Sequence, residues 1–126
     1  MENIPLSTTD FKRYERSAVL LQDVVAQINK DFRLNGFEVE FSGEGETAYQ
    51  ELSEQLIPVI EYMLEHQTET FWNLVYSIDL NEAKVKRILF AQEEVDNAIG
   101  QLTDLILKRE LQKVVIRHFY SGRQLP

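Results

Sequence analysis

Glutamate dominates the chemistry this chain has to offer. Eleven carboxylates and no lysine or arginine fall between residues 34 and 83. From residue 108 onward the balance reverses, with Lys108, Arg109, Lys113, Arg117 and Arg123 set against the single acid Glu110. Carboxylates at this density suit acid/base catalysis, hard-cation binding or the docking of a basic partner, and spacing has to separate the three. Glu51, Glu54, Glu61, Glu65 and Glu69 fall on one side of a helical segment, opposite its apolar stripe. Like charges at that spacing repel by about 0.2–0.5 kcal/mol per pair, and water and salt screen much of this on an open face. The stripe therefore reads as a solvated face or a docking stripe. Calcium needs six to eight converging oxygens, which a loop gathers better than a helix side does.

Other constellations fail on spacing. A di-iron carboxylate bundle needs Glu-x-x-His on two helices, but Met63 and Val115 stand three residues before the two histidines, His66 and His118. His66 reads as a helix end, where a cationic ring suits the dipole, and His118 as a packed or capping residue among apolar neighbours. Gly43 and Gly45 lie where a phosphate loop would sit, yet the lysine is missing and Glu44 and Glu46 repel phosphate. Glu44 and Glu46 form an acid/base pair only if a cleft closes over them. No nucleophile elbow is present. These patterns assign no catalytic residue, no metal ligand and no cofactor. Arg109, Lys113 and Arg117 recur every four residues, a basic stripe that complements a helix C-terminus or pairs with acids in the same or another chain.

The elements that must position these residues are helical. Ser7 to Asp10 reads as an N-cap with an acidic first turn. Phe11, Tyr14, Ala18, Leu21, Val25, Ile28 and Phe32 then alternate three and four apart, predicting one helix through Phe32. Asn35-Gly36 stops it, and residues 37–41 alternate as a short extended segment that needs a partner for its backbone. A second helix carries Tyr49, Leu52, Leu56, Val59, Ile60 and Met63, with Pro58 inside it predicting a kink or a split. A short helix through Phe71, Leu74, Val75 and Ile78 follows, and capping residues lie at positions 79–82. Residues 80–120 hold no proline and only Gly100. Their apolar surface rotates near Lys108-Arg109, so the last stretch needs burial on more than one side.

The fold class expected is all-α, a four- to five-helix bundle with one short extended segment, in a single domain over 1–126 with 1–6 and 121–126 as frayed ends. A formal net charge of −8 disfavours nucleic acid and anionic lipid, and no apolar run approaches a membrane span. The absence of cysteine excludes disulfides and thiolate chemistry, and the first residues lack the pattern of a signal peptide. A cytoplasmic protein is expected.

The function expected is a non-catalytic interaction or structural domain that works through helix faces as a homodimer. An unbroken helix over 80–120 would span about 60 Å, well beyond a domain about 35–40 Å across. It must break, at residues 90–92, or project. A projecting end would offer Val114, Val115, Ile116, Phe119 and Tyr120 to a second copy. The alternatives are a binding module for a basic peptide or protein on the acidic stripe, and a small enzyme whose carboxylates converge only in three dimensions.

Overall fold

The computed structural model describes residues 4–32, 38–41, 43, 45–91 and 95–126. Six helices lie among them: α1 (Thr8–Tyr14), α2 (Ala18–Phe32), α3 (Gly45–His66), α4 (Thr68–Ser77), α5 (Glu82–Ala91) and α6 (Val95–Tyr120). The class is all-α, with one or two more helices than expected. None is long and apolar enough to cross a membrane.

The extra helix comes from a break in the first one. Ser7 and Asp10 form a reciprocal capping box at the start of α1. The helix stops after Tyr14, whose hydroxyl donates to the Pro5 carbonyl at 2.7 Å. Ser17 opens α2, its hydroxyl accepting from the Leu20 N–H at 3.2 Å. The three-four apolar spacing survives this break, which is why periodicity alone did not reveal it. Pro58, in contrast, splits nothing. It lies on the exposed side of α3, where the Glu54 carbonyl deprived of its helical donor faces water.

No strand occurs among the described residues. Glu38, Val39, Glu40 and Phe41 carry no regular secondary structure, so the expected extended segment is not formed as a strand, though Val39 is buried and both glutamates are exposed. Phe37 and the Asn35-Gly36 stop lie outside the described residues.

The long C-terminal stretch divides. α5 ends at Ala91 and α6 begins at Val95, and Gln92 lies outside the described residues. At 26 residues, α6 is about 39 Å long, which matches the width of the domain. It packs against α2, α3 and α5 and buries Leu102, Ile106, Leu107, Leu111, Val114 and Val115 in one core with Leu21, Ile28, Leu56, Ile60 and Phe71. The rotating apolar surface thus has a neighbour on each side. The projecting end is corrected accordingly: it folds back into its own core.

The terminal segments expected to fray carry contacts. Ile4, Leu6 and Leu125 pack on the core. Gly122, at φ +78, reverses the chain after α6, with Arg123 N–H bonding to the His118 carbonyl at 3.0 Å.

Candidate functional site

The seam between α2 and α6 is a ladder of polar pairs. On α2, Asp23, Gln27 and Asp31 follow at four-residue steps and share one side. Against them α6 sets His118, Arg117 and Lys113. Lys113 donates to Asp31 at 2.8 Å, Arg117 donates to the Gln27 amide oxygen at 2.9 Å, and His118 Nε2 lies 2.5 Å from Asp23. The Gln27 amide nitrogen bonds both Asp31 oxygens at 3.0 Å, tying two rungs together. Arg123 reaches Asp23 at 3.5 Å.

The third member of the basic stripe diverges. Arg109 Nε donates to the Ile78 carbonyl at 2.8 Å, and its Nη1 donates to Gln112 at 2.6 Å. It caps the end of α4 from another helix. The basic stripe therefore holds elements of its own chain together. The four-residue spacing of Asp23, Gln27 and Asp31 was visible in the sequence, but Gln27 carries no charge and broke the pattern.

Glu110 sits behind this ladder. Its side chain is 0% exposed, and neither carboxylate oxygen has a hydrogen-bond partner among the described residues. Lys113 Nζ is 3.7 Å away but is committed to Asp31. Burial, reinforced by the neighbouring Asp31 carboxylate, pushes Glu110 up to about 8. Burial also raises Asp31, but hydrogen bonds from Lys113 and Gln27 outweigh it, and this carboxyl lies below its ordinary value. The two titrate as a pair, and Glu110 keeps the proton at neutral pH. A cavity of about 320 Å³ opens beside Asp31, lined by Phe32, Thr70, Asn73, Leu74 and Ser77. Glu110 does not line it, so the raised carboxyl has no route to a substrate there.

A second buried polar group is Tyr49. Its hydroxyl lacks a hydrogen-bond partner among the described residues. Burial, with the charges of Glu15 and Asp104, pushes its pKa up, and burial does the same to Glu15.

The acidic stripe keeps to the surface. Glu54, Glu65 and Glu69 are exposed, Glu51 and Glu61 half-buried. Glu51, Glu54, Glu61 and Glu65 lie on α3, and Glu69 opens α4. Among the described residues no lysine or arginine pairs with any of the five. Glu65 has only the neighbouring His66 ring, at 3.7 Å. Two apolar side chains share this outer face of α3: Tyr62, 51% exposed, and Ile57, 36% exposed. Tyr62 stacks obliquely on His66, with ring centres 5.0 Å apart.

Of the expected interface residues, Val114 and Val115 are buried in the chain's own core, while Ile116 and Phe119 are half-buried and Tyr120 is 76% exposed. His66 ends α3 as the sequence indicates, and His118 is packed in the seam. Glu44 and the Glu46 side chain lie outside the described residues. No cluster of three or more His, Asp or Glu suited to a metal ion occurs among the described residues. Family models, characterised proteins and solved structures all return no match to this chain, so the reading of its function rests on this geometry.

Proposed function

We propose that the chain is a non-catalytic interaction domain whose outer α3 face docks a basic partner. The observation that carries this is where the cations go. Lys113 and Arg117 are engaged with Asp31 and Gln27 across the α2–α6 seam, and Arg109 holds the end of α4. The glutamates of α3 are left without a lysine or arginine among the described residues, around the exposed Tyr62 and Ile57. Apolar anchors ringed by charge are what a helix-on-helix contact uses, the anchors supplying affinity and the charges orientation. A basic amphipathic helix is the matching partner.

The test is binding of a synthetic amphipathic helix with lysines around a leucine stripe, against a scrambled peptide of the same composition. The expected result is saturable binding at low micromolar concentration that weakens steeply with salt. It should fall at least tenfold in Glu54→Lys/Glu61→Lys and in Tyr62→Ala. Equal binding of the scrambled peptide, or unchanged binding in both variants, removes this reading.

Homodimerisation belongs to the same class of function, with a smaller seat than the sequence suggested. Tyr120 at the end of α6, beside the half-buried Phe119, is the part of that surface left outside the core. Sedimentation of wild type and Tyr120→Asp at micromolar concentration tests it: twice the chain mass in wild type, lost in the variant, supports the dimer.

A further inference from the structure

Away from both the α2–α6 seam and the acidic face, three cations line one cleft and a fourth lines the hollow beside it. A cavity of about 420 Å³ lies between α1, the turn after α4, the start of α5 and α6. Its floor is apolar, from Phe11, Leu80 and Leu105, and its rim carries Lys84, Lys108 and Arg109. A second hollow of about 280 Å³, which shares Phe11 and Lys108 with the first, extends the groove past Lys12 and Glu15. Concentrating cations here runs against a net charge of −8.

Each cation retains donors. Arg109 is held in place by the Ile78 carbonyl and Gln112, with Asp79 4.0 Å from its Nη2, so its guanidinium is fixed without being fully used. Among the described residues Lys108 forms an ion pair with the exposed Asp104, one turn back at 3.1 Å, and its charge also reaches Glu15. Lys12 and Lys84 have no ion-pair partner among the described residues. The carboxylates that line the groove are Asp79, almost fully exposed, and Glu15. Three cations thus face Asp79 over an apolar floor in a volume suited to a small ligand, with Lys12 and Glu15 in the hollow beside it.

We propose that this cleft binds a small organic anion, with its phosphate or carboxylate on Arg109, Lys84 and Lys108 and an apolar body against Phe11, Leu80 and Leu105. A fixed guanidinium suits the planar or tetrahedral oxygens of either anion, and the two lysines supply charge without fixed geometry. The apolar floor separates such a ligand from a bare inorganic ion, which gains nothing from it.

Amide shifts of the whole chain, titrated with phenyl phosphate, phenylacetate and inorganic phosphate, test the site. The two aryl anions tell phosphate from carboxylate recognition. At least one should give saturable shifts at Leu80, Asn81, Leu105 and Gln112 and bind at least tenfold more tightly than inorganic phosphate. Lys84→Glu/Lys108→Glu should lose tenfold or more, whereas Lys86→Glu, whose side chain lies over Trp72 instead, should bind as wild type does. The proposal is overturned by an absence of saturable shifts up to about 10 mM, by inorganic phosphate binding as well as both aryl anions, or by the double variant retaining full affinity.

Discussion

The Asn29 side chain treats Val39 as a neighbouring strand would. Its amide oxygen accepts from the Val39 N–H at 2.8 Å and its amide nitrogen donates to the Val39 carbonyl at 3.2 Å. One residue on, Gln55 repeats the arrangement from α3, accepting from the Glu40 N–H at 2.8 Å and donating to the Glu40 carbonyl at 3.0 Å. Two side-chain amides on two helices replace the missing strand. Val39 can then be buried without orphaned backbone groups.

Both groups of each amide are used, so Asn29→Asp is more informative than truncation. Aspartate keeps the acceptor and removes the donor. We expect Asn29→Ala to destabilise by about 1–3 kcal/mol, because it strands a part-buried N–H and carbonyl, and Asn29→Asp by less. Hydrogen exchange gives the direct reading. The Val39 and Glu40 amides should be protected in wild type although they belong to no sheet, and Val39 should lose protection in Asn29→Ala while Glu40 keeps part of it. Fast exchange of both in wild type would mean the clamp does not hold in solution.

The Glu110–Asp31 pair sets a pH dependence whose sign is definite. Glu110 has a raised folded-state pKa, about 8 against an ordinary 4.5, so the folded state binds the extra proton between those values. Stability from this group is therefore complete below about pH 4.5 and declines as pH rises towards 8. Asp31 works the other way. Its lowered folded pKa contributes stability above its ordinary value that disappears as pH falls through the folded one. Glu110→Gln keeps the size of the side chain and removes the titration. Urea melts should show the alkaline slope flattened in this variant, with a gain at pH 8 on the order of 1–3 kcal/mol. An unchanged slope would place the proton elsewhere.

Much of this fold was legible because apolar periodicity survives tertiary packing. The helices through Leu52 and Met63 and through Phe71 and Ile78, and the need to bury the last stretch on several sides, all follow from it. The break after Tyr14 was hidden because α1 and α2 keep the same apolar phase across it. The seam was hidden for another reason. Arg109, Lys113 and Arg117 look like one stripe, yet their partners are a backbone carbonyl, an aspartate and an amide. Charge counting sees only one of those three. It suggested the abundant glutamates of α3 as partners, when the closer match was the four-residue repeat on α2.

The two charged stripes should therefore respond oppositely to neutralisation. Lys113→Met leaves Asp31 part-buried without its ion-pair partner and removes the cation 3.7 Å from Glu110. A loss of about 2–4 kcal/mol is expected, characteristic of breaking one side of a part-buried pair. Glu54→Gln with Glu61→Gln should leave the fold intact and stabilise it by at most about 1 kcal/mol, through relieved repulsion on a solvated face. Chemical denaturation of both variants at one pH makes the comparison. A large loss in the glutamine variant would mean that the α3 carboxylates hold something the described contacts do not include.

The end of α4 offers a test at one backbone position. Asp79 sits at φ +56, a left-handed conformation that residues with a Cβ adopt at a cost of roughly 1–2 kcal/mol. It is there because the helix ends on two reversed hydrogen bonds, Asp79 N–H to the Tyr76 carbonyl at 3.2 Å and Leu80 N–H to Val75 at 3.0 Å. That pattern normally places glycine at this position. The side chain is nearly fully exposed and lies only within 4.0 Å of Arg109, so removing it sacrifices little. Asp79→Gly should therefore be neutral or stabilising by up to about 1 kcal/mol, the relieved strain being partly offset by the freer unfolded chain. Asp79→Val, with a branched Cβ, should destabilise by about 1–3 kcal/mol. Because the same turn presents Ile78 to Arg109, the valine variant should also loosen Arg109 in the cation-lined cleft. Thermal melts rank the three proteins, and a valine variant as stable as the glycine one would show that the turn does not depend on the left-handed residue.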